Sequence, residues 1–314
     1  MAEQRPGSDK ERTKKQSRSV STTKRAPTKA ARRSGLSPIS WLAIGVVLIV
    51  VVGLVIYAVT MGSSSSNAKG EGSSPAPASL VSQVTQIPES VYNTVGVTSS
   101  VAPVSPPKAL TGYAPLTFPD ASGTQKPGIF YYGAEYCPYC AAERWAFTAA
   151  ISRFGPITGL GITSSSSTDV YPNTPTFSFY KASFGTTDVE VRAVEHLSNI
   201  PSSNGEGYTI LANPTSSETA LLKKLDPNGT IPLITFGNQF LVSGASYSPA
   251  ILANLTRDEI ASNLNDPSNP VTQAIISTAN YMTASICKIT NGQPGDVCSS
   301  SGVQTAAKAM KISF

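Results

Sequence analysis

Four cysteines are the residues of this 314-residue chain whose type and spacing point most directly to chemistry. Two of them stand in Cys137-Pro138-Tyr139-Cys140. The run before this motif, Ile129-Phe130-Tyr131-Tyr132, is apolar without alternation, which predicts a strand buried on both faces. After it, Ala141-Ala142-Glu143-Arg144-Trp145-Ala146-Phe147 is rich in helix formers up to Phe154. The order is therefore strand, CPYC, helix. Proline is tolerated in a first helical turn, so Pro138 places Cys137 at the cap and Cys140 one turn further in. Unpaired N–H groups and the macrodipole at a helix N-terminus stabilise a thiolate, and cysteines in such a motif have pKa values lowered to roughly 3.5–7.5. A thiolate is the attacking species in disulfide exchange. Cys137 is expected to attack a partner's disulfide and Cys140, shielded by the helix, to resolve the mixed disulfide. Two other readings stay open: a structural disulfide, or half of a metal site, which ordinarily needs a second CxxC or His pair.

Cys287 and Cys298 lie eleven apart across the loop Asn291-Gly292-Gln293-Pro294-Gly295 and fit no such spacing. In an oxidising compartment they are expected to close a short structural disulfide, with a relay pair feeding Cys137 and Cys140 as the rival reading. Glu135 and Glu143 flank the motif; either carboxylate is a candidate acceptor for the resolving thiol's proton, although an exposed charge is the more common role. Trp145 is expected in the core, and His196, the chain's single His, at a strand end in a structural role. Gly159-Leu160-Gly161 lacks the third glycine of a dinucleotide loop, and no GK[ST] or GxSxG motif occurs. No motif calls for a cofactor or a metal.

The elements that must position the cysteines extend well beyond the motif. Gly229-Thr230-Ile231-Pro232-Leu233-Ile234-Thr235-Phe236, then Gly237-Asn238 and Gln239-Phe240-Leu241-Val242-Ser243, reads as a hairpin with Pro232 at its start. Residues 156–163 read as the second strand and Ser164–Thr174 as a polar loop. Phe177–Tyr180 and Val189–Val194 alternate like an extended pair, and Ser217–Leu225 forms a helix. The 164–214 region is read as an insertion, either a determinant of selectivity or a decorative hairpin. A helix is expected from Ser248-Pro249, another at the capping box Thr256–Glu259, and a third from Pro270-Val271 to Cys287.

With these motifs in view, the chain resembles the thioredoxin superfamily, whose last hairpin begins with a cis-proline facing the CxxC helix. The matching position is Pro232, preceded by Ile231. LVSQVTQIPESVYNTVG, a Pro-rich link, GAEYCPYCAAERW and TIPLITFGN resemble, more narrowly, the thioredoxin-like family designated domain of unknown function 929, of archaea and actinobacteria, over roughly residues 80–314. The resemblance implies an α/β thioredoxin-like fold with an insertion before the hairpin and extra C-terminal helices. The resemblance further adds Pro232 to the redox site of Cys137 and Cys140; Pro138, Tyr139, Ile231 and Glu135, next to these residues in the sequence, are the candidates for substrate contact.

Charge and hydropathy fix the remaining organisation. Residues 1–38 carry a net charge of +8, whereas the rest of the chain nets −3. A nucleic-acid enzyme needs a basic folded part, and this folded part is slightly acidic, so nucleic acid is not an expected partner. The tail 1–38, with almost no large apolar side chains, is expected to be disordered and cytoplasmic. Within 39–61, Trp41–Met61 is free of charge and long enough to span a bilayer, with the basic residues on its cytoplasmic side. Gly62–Ser79 is expected to be a Gly/Ser/Pro tether, 80–107 a short helical segment with a Pro-rich link, and 108–314 the main domain. The reading is a single-pass membrane protein whose extracytoplasmic domain exchanges disulfides with other proteins and with a redox partner. The alternative is a tethered binding module whose CPYC pair is an inert disulfide.

Overall fold

A computed structural model of the chain describes residues 70, 72–100 and 103–314. Six strands form its main sheet: β1 (Lys108–Ala109), β2 (Thr117–Pro119), β3 (Gln125–Gly133), β4 (Glu190–Glu195), β5 (Leu233–Phe236) and β6 (Phe240–Ser243). The order β1-β6-β5-β3 is antiparallel at each step. The far side of β3 is shared, with β2 antiparallel along Gln125–Pro127 and β4 parallel along Gly128–Gly133. β3 is the centre of the sheet, and Ile129, Phe130 and Tyr131 are fully buried, as an apolar run without alternation requires.

The helices are α1 (Ala78–Thr85), α2 (Glu89–Val95), α3 (Pro138–Ile151), α4 (Ser216–Leu225), α5 (Arg257–Asn263), α6 (Pro270–Ile289), α7 (Gly295–Cys298) and α8 (Ser301–Met310). The molecule is a mixed α/β structure. One face of the sheet, including Ile129, Tyr131, Ile234, Phe236 and Val242, joins α1, α2, α3, α6 and α8 in the main apolar core. The alternate residues Leu233 and Leu241 face the other way and meet Leu225 of α4 in a small second core. Sequence signals hold at several helix starts: Thr215 and Thr256 form full capping boxes, and Asn269 caps α6 ahead of Pro270. The segment after Ser248-Pro249 is a single 3-10 turn, Pro249–Leu252.

Three expectations are corrected. The strand beside β3 is Glu190–Glu195, not 156–163; the latter segment splits into Ile157–Thr158, paired with Ser183–Phe184, and Gly161–Ser164, paired with Pro175–Ser178. Phe177–Tyr180 and Val189–Val194 accordingly do not pair with one another, and the region 164–214 contains a strand of the main sheet. The two small strand pairings just named lie between α3 and β4, and the Leu197–Pro201 and Tyr208–Ile210 hairpin follows β4. Finally, the end of the Gly/Ser/Pro tract is tied down. Ser74–Pro75 extends the Gly161–Ser164 strand, the Gly72 N–H donates to Asn199 Oδ1, and α1 already begins at Ala78. The tail 1–38 and the span within 39–61 lie outside the described residues; among the described residues no helix is long and apolar enough to cross a membrane.

Candidate functional site

The strand β3 ends at Gly133, three residues turn, and Cys137 caps α3 in extended conformation (φ −77°, ψ 121°). Pro138 takes the first helical position, so the Cys137 sulfur faces the free N–H groups of the first turn and accepts from Cys140 N–H at 3.2 Å. Both cysteines are free thiols. The opposing wall is the start of β5. Leu233 pairs with Tyr132, which brings the preceding residues level with the end of β3. There the Ile231–Pro232 peptide is cis, and the Cys137 thiol donates to Ile231 O at 3.9 Å. The structure thus brings together Cys137, Cys140, Pro138, Ile231 and Pro232, which lie up to 95 residues apart.

The two sulfurs differ in environment. The Cys140 thiol's hydrogen bond holds the Cys137 thiol below its ordinary range, against burial, with help from the Cys140 N–H and the Arg144 guanidinium. Burial pushes the Cys140 thiol well above its ordinary range, reinforced by its hydrogen bond to Cys137. This asymmetry suits a nucleophile and a resolving thiol. Exposure is less asymmetric than the helix geometry suggests: Cys137 is 5% exposed and Cys140 is fully buried. The segments on either side of β4 pack against the chain neighbours of Cys137. Ser166 N–H donates to Tyr136 O, Tyr208 stacks on Tyr136 at 4.3 Å, and Tyr171 meets Tyr139 edge-on at 5.9 Å. Tyr139, 40% exposed, is among the few large apolar side chains open to solvent in the described residues.

Sequence reasoning missed the buried polar layer beneath this motif. Glu135 and Glu143 are not exposed charges; both are completely buried. Glu135 accepts from the Ser178 hydroxyl, and burial raises its pKa. Glu143 accepts from the backbone N–H and hydroxyl of Ser246 at 2.8 and 2.7 Å, and burial drives its pKa up to about 7. Arg144, also buried, makes a two-pronged ion pair with Glu195 at the end of β4, at 2.6 and 2.7 Å. A signal for this layer was present: α3 is apolar all round, and a helix of that kind is enclosed, charges included. Trp145 is core, donating to Pro175 O at 3.0 Å. His196 is structural, its Nδ1 2.8 Å from Ala212 O and its ring stacked on Tyr132.

The second pair is joined. Cys287, in the last turns of α6, is bonded to Cys298 at the end of α7. A cavity of about 180 Å³ between Ser105–Lys108 and Leu241–Ser246 includes neither Cys137 nor Cys140. Among the described residues no three His, Cys, Asp or Glu side chains are grouped to hold a metal ion.

Fold and site together define an α/β domain carrying a dithiol at a helix N-terminus. Residues 118–194 match the model of a family described as a domain of unknown function, DUF929. The matched stretch runs from β2 through CPYC and α3 to β4; Pro232 and the Cys287–Cys298 bond lie beyond it. No curated protein and no solved structure matches the chain.

Proposed function

We propose that the chain is a membrane-anchored, extracytoplasmic thiol-disulfide oxidoreductase of thioredoxin-like fold, acting on protein disulfides through Cys137 and Cys140. The observation that carries this reading is the placement of a free Cys137 sulfur at the N-cap of α3, accepting from Cys140 N–H at 3.2 Å. Its fold component is supported by the sheet order β4-β3-β5-β6, in which β4 is parallel to β3 and the hairpin β5–β6 antiparallel, with Pro232 opening that hairpin opposite the dithiol.

In the reducing direction the Cys137 thiolate attacks one sulfur of a partner disulfide. A Cys137–partner bond forms, the partner's S–S bond breaks, and a partner thiolate leaves. That thiolate takes up a proton. Cys140 then gives up its own proton to solvent and attacks Cys137 Sγ, expelling the second partner thiolate and closing the Cys137–Cys140 bond. Two electrons pass from the dithiol to the partner. Run backwards, the same steps oxidise a partner dithiol. A separate redox partner must reset the pair in either direction. Tyr139, exposed within the motif, and the Ile231 carbonyl, which accepts from the Cys137 thiol, border the attacking sulfur and are the groups a bound polypeptide meets first.

Membrane anchoring rests on the apolar stretch Trp41–Met61 with eleven basic residues before it. Protease added to intact cells is expected to remove the CPYC domain; a C-terminus protected until lysis overturns the topology. Equilibration with glutathione buffers tests the chemistry. Exchange-competent pairs lie above the roughly −300 mV typical of structural disulfides. A Cys137–Cys140 bond below that value, or one that never equilibrates, favours a tethered binding module instead.

A further inference from the structure

Beneath the dithiol lies a buried charge that the exchange chemistry described so far does not use. Arg144 follows Cys140 by one turn of α3, so the two side chains share a face of the helix. Long side chains on a helix lean back over the preceding turn, which here is the turn holding Cys140. The Arg144 guanidinium is fully buried. Its Nε and Nη2 donate to the two Glu195 oxygens, and Nη2 also donates to Ala134 O at 2.7 Å. The same Ala134 carbonyl accepts from Cys137 N–H at 3.3 Å, so the guanidinium is one carbonyl group away from the backbone of the attacking cysteine. Its Nη1 has no hydrogen-bond partner.

Stability is a poor explanation for this arrangement. Desolvating two charges offsets much of their attraction, and buried ion pairs can often be replaced by apolar side chains without loss. A guanidinium nitrogen left without an acceptor adds to the cost. The groups acting on the two sulfurs also single Arg144 out. From β3 and its following turn come Tyr131, Tyr132 and Tyr136, none of them positive, while Glu135 and Glu195 act on the guanidinium itself. In a low-dielectric interior a fixed cation favours a neighbouring thiolate much more than it does in water.

We propose that Arg144 is a positioning residue of the dithiol: a permanent positive charge, held in place and partly damped by Glu195, that favours the reduced, thiolate-bearing pair over its disulfide and so makes the protein a stronger oxidant. This rests on the exchange reading given above. Neither residue touches the partner; both act through Cys137 and Cys140.

The test uses the full-length chain in detergent, with two readouts: the equilibrium constant against reduced and oxidised glutathione, and thiolate absorbance as a function of pH. Arg144→Met combined with Glu195→Met removes both charges without stranding either. It is expected to lower the equilibrium constant for oxidising glutathione by about tenfold, equivalent to about 30 mV towards the reducing side, and to shift the thiolate titration upward. Glu195→Gln, which leaves the cation undamped, is expected to displace both readouts the opposite way. Arg144→Lys, which keeps the charge, should stay within about threefold of wild type. Opposite displacements distinguish an electrostatic role from a structural one, in which every variant merely melts earlier. If the double variant fails to fold, the direction of the Glu195→Gln shift alone decides. A wild type that equilibrates normally while folded variants superimpose on it overturns this inference only; a wild type that does not equilibrate at all overturns the exchange reading, and this inference with it.

Discussion

The two cysteine pairs of this protein have the same chemistry available and opposite surroundings. Cys287 and Cys298 belong to the main apolar core, between the end of α6 and α7, and are bonded. Cys137 and Cys140 lie outside that core, at a helix cap backed by Glu135, Glu143, Arg144 and Glu195, and are free. A disulfide enclosed by close-packed apolar groups has no nearby group to stabilise a thiolate and little access for an attacking sulfur. A dithiol at a helix N-terminus with a buried cation has the first, and its recessed sulfur still faces the Ile231 carbonyl across the Pro232 turn. Both pairs are buried, and they differ in the polarity of what buries them; on the proposed exchange reading that polarity is what sets a reactive cysteine apart from a structural one.

Substitutions in each pair are expected to separate activity from stability. Cys137→Ser is expected to abolish exchange with little change in melting temperature. Cys287→Ser with Cys298→Ser should do the reverse, leaving the rate of exchange intact while stability falls by about 3 kcal/mol for a loop of this length, read from urea midpoints under oxidising conditions. Loss of exchange in the second variant would revive the relay reading of that pair.

The polar layer behind the dithiol also predicts a pH dependence. Glu143 has its pKa raised to about 7 in the folded protein against 4.5 for an unperturbed carboxyl. Between those values the folded state holds a proton that the unfolded state has released. Its contribution is thus complete below about pH 4.5, declines as pH rises towards 7, and is flat above, for a total of about 3 kcal/mol. Glu143→Gln should flatten that slope in denaturant midpoints taken from pH 4.5 to 7.5. An unchanged slope would mean that Glu143 is ionised when folded.

The close packing around the second pair is tested at Gly302 in α8, just past Cys298. A Cβ there would lie 2.4 Å from Tyr92 O of α2, so Gly302→Ala must separate the two helices and should cost about 1–3 kcal/mol in a thermal melt. At the dithiol the corresponding surface side chain is Tyr139. Because it is 40% exposed and touches Tyr171 only edge-on, Tyr139→Ala should cost about 1 kcal/mol or less. Its effect should appear in exchange with protein disulfides and be absent with a small-molecule disulfide. Equal slowing of both would place Tyr139 in the chemistry rather than in partner contact.

What the sequence made legible was local. Strand, CPYC and helix could be read because Pro138 and the flanking runs determine their own conformations, and the Thr256 capping box and the Asn269-Pro270 start are similarly self-contained. The Cys287–Cys298 bond followed from a short loop and the expected compartment. The position of Pro232 opposite the motif came from family resemblance, since nothing local to Thr230-Ile231-Pro232 reports what faces it. The second strand was misassigned because membership in a sheet is a pairing property. Residues 156–163 look as extended as Glu190–Glu195, and only the latter finds β3. The buried charges were misjudged because charged side chains are ordinarily exposed. Arg144 and Glu195 are 51 residues apart, and no spacing rule joins them.

The central claim, that Cys137 is the attacking thiol and Cys140 the resolving one, is tested most directly by incubating Cys140→Ser and Cys137→Ser with 5,5′-dithiobis(2-nitrobenzoate) and following the stoichiometric mixed disulfide by mass. A rapid and persistent adduct is expected on Cys137 in Cys140→Ser, reversed by dithiothreitol, with slow labelling of the buried Cys140 in Cys137→Ser. Faster labelling of Cys140 than of Cys137 would contradict the claim.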